Sequence, residues 1–177
     1  MKLPSGEQYW TVLDDDLGVV AEADAFLRHV RFGRDGSELT TKSYAGGIAL
    51  FLRWCGRTGR DWPGGVEHLG LFMVWLRHAG PEVSGIDASP VELGEVLSGP
   101  GRDEVRGARR VNGVLAAVRG FVVHAVDSGT APAGLVPLLY ELASERDLPV
   151  HAQREDGPRS WRMRARHRLH EPESAVD

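Results

Sequence analysis

The chain has 177 residues, of which 42% are hydrophobic, enough to bury one sizeable core but not two. Its single cysteine, Cys55, excludes an intramolecular disulfide, and no signal-peptide pattern or membrane-length apolar run is present. The net charge of -4 argues against a uniformly basic nucleic-acid binder. These features predict one globular domain with tails, located in the cytoplasm and without a membrane partner.

The charges are unevenly distributed along the chain. Acids cluster in "LDDDLGVVAEAD" at residues 13–24, whereas arginines cluster in "RGARR" at 106–110 and in "RSWRMRARHR" at 159–168. Local charge is therefore more informative than net charge.

Helical periodicity predicts five helices and no convincing strand. The first covers residues 19–32, after an Asp-Asp-Asp run that can supply caps and acids to its N-terminus. The second begins at Thr40 or Thr41 and ends near "GRTG". Its predicted core face consists of Tyr44, Ile48, Phe51, Leu52 and Cys55.

The other three predicted helices cover residues 65–79, 104–127 and 132–144. Residues 81–102 are rich in Gly, Pro and Ser and predict a long loop. Beyond Pro149 the aliphatic pattern ends, which favours a flexible tail. We therefore predict an all-α fold, with an N-terminal arm at 1–18, a helical domain at 19–148 and a basic tail or linker at 149–177.

The second and fourth predicted helices share an unusual outer face. Opposite its core, the second carries Lys42, Gly46, Ala49 and Arg53. The fourth carries Arg109, Arg110, Asn112, Gly113, Ala116, Ala117, Arg119, Gly120 and His124, and residues 106–124 contain no acid. Small residues let a partner approach the backbone while arginines reach around it, which indicates a polyanion such as DNA.

Specific residues suit such a partner. The "TTKS" segment at 40–43 offers hydroxyls and a helix N-terminus to a phosphate, and Arg109, Asn112 and Arg119 can read base edges. Composition alone leaves another interpretation open. Small residues on helices often serve helix packing, and arginines on a helix are often only solvated.

Four segments in sequence order resemble a known family: "ADAFLRHVRF", "LTTKSYAGGIALFLRWC", "HLGLFMVWLR" and "RRVNGVLAAVRGFVVHAVDSG". They resemble the N-terminal core-binding domain of tyrosine recombinases of the phage integrase family, of the actinobacterial type, over about residues 10–148. The resemblance implies a compact SAM-like bundle of about five helices that forms half of a clamp around double-stranded DNA. It places DNA contacts at Thr41, Lys42, Ser43, Arg53, Arg109, Arg110, Asn112 and Arg119.

The catalytic half of that family has no counterpart in this sequence. The family uses an Arg, a His-x-x-Arg box and a C-terminal tyrosine nucleophile, whereas "HRLH" at 167–170 ends in His, and Tyr9, Tyr44 and Tyr140 lie within or before the helical region. We therefore expect DNA binding without strand cleavage by this chain alone, and potential contact with other recombinase protomers. The alternative is a helical protein-interaction module that regulates a full-length recombinase.

No cofactor, metal or small-molecule substrate is expected. Four histidines, His124, His151, His167 and His170, lack the usual ligand spacing on two helices. Cys55 lies on an apolar stripe, where a buried inert thiol is expected. Trp54, Trp62 and Trp75 are expected in or beside the core, and Trp161 with the tail arginines could track a nucleic-acid backbone.

Overall fold

The computed structural model describes residues 1, 6–78, 106–144 and 161–170. These residues are mostly helical and also form a two-stranded antiparallel sheet. The prediction of a mainly α-helical fold is confirmed, but the prediction that strands are absent is wrong. The predicted loop at 81–102 lies outside the described residues.

Helix α1 spans Ala21–Arg28 and continues as a π-helical turn at His29–Gly33. Helix α2, Glu38–Arg57, begins earlier than predicted because Ser37 is its N-cap: the Ser37 Oγ accepts a hydrogen bond from the Thr40 N–H at 3.1 Å. The "TTKS" residues therefore lie inside α2, where their N–H groups do not form an exposed helix terminus.

The predicted helix at 65–79 is divided into two. Helix α3 spans Trp62–Val66, with Asp61 as N-cap accepting from the Gly64 N–H at 2.9 Å and Pro63 in the first turn. Helix α4 follows at Leu69–His78. Hydrophobic periodicity alone therefore does not show that a second helix begins at Leu69.

Helix α5, Ala108–Asp127, agrees with the predicted fourth helix and packs along α2. Both long helices end in the same way. Gly59 follows α2 with a φ of 65° and Gly129 follows α5 with a φ of 72°, left-handed conformations that glycine adopts without a Cβ penalty. These two glycines terminate the central helix pair.

The predicted helix at 132–144 is present only over residues 133–139 and is wrong for residues 140–144. A 3₁₀ turn at Ala133–Leu135 leads into the single turn of α6, Val136–Leu139. The chain then becomes strand β1, Tyr140–Ser144, which pairs antiparallel with β2, Trp161–Ala165. The prediction of a flexible tail is therefore wrong for residues 161–170.

The core is built around fully buried phenylalanines contributed by α1, α2, α4 and α5: Phe26, Phe51, Phe72 and Phe121. Burial of each ring is worth about 1.5–3 kcal/mol. Tyr9 and Val12 are also buried in this core, so the predicted N-terminal arm is packed against the helices. Trp54 is buried and Trp62 and Trp75 pack against the core, as predicted.

Candidate nucleic-acid interface

The small residues of α2 and α5 fall into two groups. Gly47 is buried, and a Cβ at this position would lie 3.1 Å from the Cβ of Ala117. A Cβ at Gly120 would lie 2.9 Å from the Phe26 ring. Gly46 and Gly113, by contrast, have no atom within 4 Å of such a Cβ. Helix packing accounts for the first group, and only the second leaves backbone open to a partner.

Gly113 lines a basic groove between the N-terminal halves of α2 and α5, and Gly46 lies one helical turn beyond Ser43, another lining residue. The groove has a volume of about 330 Å³ and is lined by Ser43, Arg109, Arg110, Gly113 and Val114. Ser43 and both arginines are exposed, and none of these lining residues is acidic. The groove therefore presents two guanidinium groups and a hydroxyl beside accessible backbone.

Positive charge accumulates at the start of α5. Its N-cap, Gly107, has no side chain to accept a hydrogen bond, and the first turn contains no acid. Burial, and then the charge of Arg110, lower the pKa of Arg106. A helix N-terminus already carries partial positive charge, and Arg109 and Arg110 add to it, which suits an anionic ligand.

Two predicted contacts on α2 have different environments. Lys42 is exposed, and its Nζ lies 4.8 Å from the centre of the Trp10 ring, a cation–π distance. Thr41 is fully buried, and its Oγ1 donates to the Glu38 carbonyl at 2.7 Å. The Thr41 hydroxyl therefore faces the protein interior, which does not favour the predicted contact of this residue with DNA.

Asn112 and Arg119 hold the C-terminal segment. The Asn112 amide donates to the Leu169 carbonyl at 2.8 Å and accepts from the Leu169 N–H at 2.9 Å. Arg119 donates to the His167 carbonyl at 3.2 Å, and burial lowers its pKa. Both side chains therefore bind backbone of this chain, and their use in reading bases stays a prediction.

Arg53 lies in another cleft, of about 530 Å³, which Asp14, Asp15 and Arg57 also line. A phosphate approaching Arg53 would meet these carboxylates, so the cleft does not extend the basic groove.

The acids at residues 14–16 also differ from prediction in their structural role. Asp14 accepts from the N–H groups of Asp16 and Gly18 in a turn, whereas the N-cap of α1 is Val20.

Residues 164–170 belong to the basic tail that the sequence predicted to be flexible, and the structure shows them packed against the helices. Ala165, His167 and Leu169 are half-buried, whereas Arg164, Arg166 and Arg168 are exposed. We call these three exposed residues the arginine ridge. An alternation of basic and less polar residues is visible in the sequence, but only the pairing of Trp161–Ala165 with β1 shows that it begins in a strand.

Several other chemistry-bearing side chains among the described residues are hydrogen-bonded or buried. The Tyr9 hydroxyl donates to Asp24 at 2.9 Å, and burial raises its pKa. Cys55 is buried as predicted, and burial raises the pKa of its thiol to about 11. His29 and His124 have ring centres 5.0 Å apart, yet no group of three metal-ligating side chains exists among the described residues.

Comparison of the chain with protein-family models, with curated proteins and with solved structures gave no match. In the part of the chain that the structure describes, no helix has both the length and the apolar character needed to cross a membrane. The functional argument consequently depends on the geometry of the chain itself.

Proposed function

We propose that this chain binds double-stranded DNA in the cytoplasm, as the SAM-like, core-binding half of a tyrosine recombinase. The resemblance in sequence order motivates the recombinase assignment. The helical fold is compatible with it, and the α2–α5 groove supplies a basic surface. In this proposal the chain contributes binding, and strand cleavage requires groups that it does not supply.

The observation that carries the proposal is the meeting of Ser43 with Arg109 and Arg110 across Gly113. These residues come from two helices and are brought together only by the α2–α5 contact. Guanidinium groups bind phosphate oxygens through two parallel hydrogen bonds, and an open glycine allows the sugar-phosphate backbone to approach the helix. The first turn of α5, which contains no acid, favours the same ligand.

The environments of the tyrosines support a binding role without cleavage. A nucleophilic tyrosine must reach a phosphate and lose its proton. Tyr9 is buried with a raised pKa, and Tyr44 is half-buried with its ring stacked on Phe26 at 6.0 Å. Tyr140 is half-buried beside the cleft formed by His29 and His124. None of the three lines the basic groove.

The proposal is tested by measuring binding of a short labelled DNA duplex as a function of salt concentration. If Arg109 and Arg110 each neutralise one phosphate, replacing both with Gln makes the slope of log affinity against log salt shallower by about 1.8. The matched control is Arg57→Gln with Arg60→Gln, which changes net charge equally but lies away from the groove. Equal effects of the two double variants, or no binding by the wild type, would contradict the proposal.

A second candidate function is supported by an apolar strip on α4. Leu71 and Val74 are 59% and 54% exposed and lie one helical turn apart. Such a strip suits a protein contact, in this case with a full-length recombinase. Binding to that partner that hardly changes with salt, and that is lost in Leu71→Ser with Val74→Ser, would favour this function over DNA binding.

A further inference from the structure

The C-terminal segment is attached to the helices through its backbone. Beyond the β1–β2 pairing, the Arg166 N–H donates to the Leu139 carbonyl at 3.0 Å. Asn112 then pairs with both backbone groups of Leu169, and Arg119 binds the His167 carbonyl. The segment is therefore held against the helices as far as residue 169, as strand β2 up to Ala165 and then through a bend at Arg166 and His167.

This attachment directs the arginine ridge outward. Burial alternates along it: Ala165, His167 and Leu169 are half-buried, whereas Arg164, Arg166 and Arg168 are exposed. Leu169 packs against the core, and His167 lies beside Gly70 of α4. Arg166 and Arg168 alternate with these packed residues and are exposed to solvent.

Among the described residues, the only ion pair made by the ridge is that of Arg164. Arg164 is paired with Glu141 at 2.7 Å, and the Arg166 Nε donates to the neutral Tyr140 carbonyl at 3.0 Å. Burial, and then the charges of Arg166 and Arg119, lower the pKa of His167. Crowded cations with few counter-charges are typical of a surface whose partner is an anion.

The ridge and the basic groove lie on opposite flanks of α5. Val114 and Ala117 face α2, whereas Asn112 and Arg119 face the C-terminal segment. At about 100° per residue, Gly113 and Ala116 lie between these two flanks. The outer face of α5 is thus a floor of small residues with α2 on one side and the C-terminal segment on the other.

We infer that the arginine ridge forms the second wall of the DNA site and that Asn112 and Arg119 are positioning residues that hold it there. This inference rests on the proposed function. It assigns the phosphate contacts on the Asn112–Arg119 side of α5 to the C-terminal segment and not to α5 itself. Asn112 then affects DNA binding through Leu169, without touching a base.

The first test compares Arg168→Gln with Arg57→Gln in salt titrations of duplex binding. Each variant removes one exposed positive charge. We expect Arg168→Gln to make the slope shallower by about 0.9, the value for one phosphate contact, and Arg57→Gln to leave it unchanged. A wild-type slope in Arg168→Gln would overturn the inference while leaving the groove proposal intact, since the groove is tested separately through Arg109 and Arg110.

The second test is a double-mutant cycle between Asn112→Leu and Arg168→Gln. If Asn112 acts by holding the ridge, Asn112→Leu abolishes hydrogen-exchange protection of the Leu169 amide and weakens DNA binding. Adding Arg168→Gln should then weaken binding little further. Additive losses of affinity would mean that Asn112 contacts DNA independently, which contradicts the positioning role.

Discussion

Gly47 in α2 lies against Ala117 in α5 so closely that a methyl group at Gly47 would stand 3.1 Å from the Ala117 Cβ and 3.4 Å from the Val114 Cα. Its neighbour Gly46 has open space at the same position. Two adjacent glycines in one helix therefore serve different purposes: Gly47 permits the central helix contact, and Gly46 leaves surface backbone uncovered.

The two glycines should respond oppositely to alanine. Gly46→Ala is expected to raise the free energy of unfolding by up to about 1 kcal/mol, because alanine is the better helix former. Gly47→Ala gains the same propensity but must push α2 away from α5, so we expect it to be about 1–3 kcal/mol less stable than Gly46→Ala. Urea unfolding of both variants measures this difference, and equal stabilities would show that the helix pair accommodates the methyl group.

Gly46 also allows a test of DNA approach. It lies one turn beyond Ser43 on α2, so Gly46→Glu would place a negative charge beside the basic groove. Because glutamate has better helix propensity than glycine, stability should be kept or increased, while DNA affinity falls at least tenfold by like-charge repulsion. Gly46→Ala is the steric control and should retain most binding. If the Gly46→Glu protein is folded and binds DNA with wild-type affinity, the duplex does not lie beside Gly46.

The N-terminal segment is attached to α1 through Asp24, which is 6% exposed. Its carboxylate accepts from the hydroxyls of Tyr9 at 2.9 Å and Thr11 at 2.8 Å, and Arg28 binds its other oxygen at 2.6 Å. We expect Asp24→Ala to lower the free energy of unfolding by about 2–3 kcal/mol, since it leaves charged and buried partners unpaired. Chemical denaturation measures the loss.

The exposed Asp15 provides the control for Asp24. Asp15→Ala should change stability by no more than about 0.5 kcal/mol. A similarly small effect of Asp24→Ala would mean that the N-terminal segment is not held by this carboxylate.

Stability should decrease in mildly acidic solution because of two histidines. Burial is the main cause that lowers the pKa values of His124 and His167 from their ordinary value of 6.5. The unfolded chain therefore takes up protons first as pH falls through 6.5, and stability is lost from there down to the lowered values in the folded state. Above this window both states are neutral at these groups and the effect vanishes.

Denaturant unfolding at a series of pH values from about 7.5 to about 5 measures this loss. The double variant with His124→Gln and His167→Gln should show a flatter dependence over that range, whatever its absolute stability. An unchanged pH dependence in the double variant would assign the effect to other groups.

The sequence by itself determined the principal helices and much of the core. Val111, Val118 and Val122 recur at helical spacing and are fully buried in α5, and Ile48 and Phe51 are likewise buried in α2. This information is local, because a helix of 3.6 residues per turn presents one stripe to the core. The buried state of Cys55 followed from the same stripe.

Helical spacing gave a wrong prediction for residues 140–144, whose structure depends on a distant strand. Leu135, Leu138, Leu139 and Leu142 fit a helix, yet Leu142 lies in β1 and is 70% exposed. The strand forms because Tyr140–Ser144 pairs with Trp161–Ala165, and hydrogen bonds between segments so far apart leave no mark on local periodicity.

For the candidate interface too, the sequence predicts the composition, whereas the contacts depend on the tertiary structure. Its basic, acid-poor character can be read from residues 106–124. Only the tertiary structure decided that Arg109 and Arg110 meet Ser43, that Thr41 is buried, and that Asn112 binds Leu169, 57 positions further along the chain. A helical wheel gives the direction of a side chain. The partner of that side chain depends on which distant segment packs against the helix, and this packing is determined by the core as a whole.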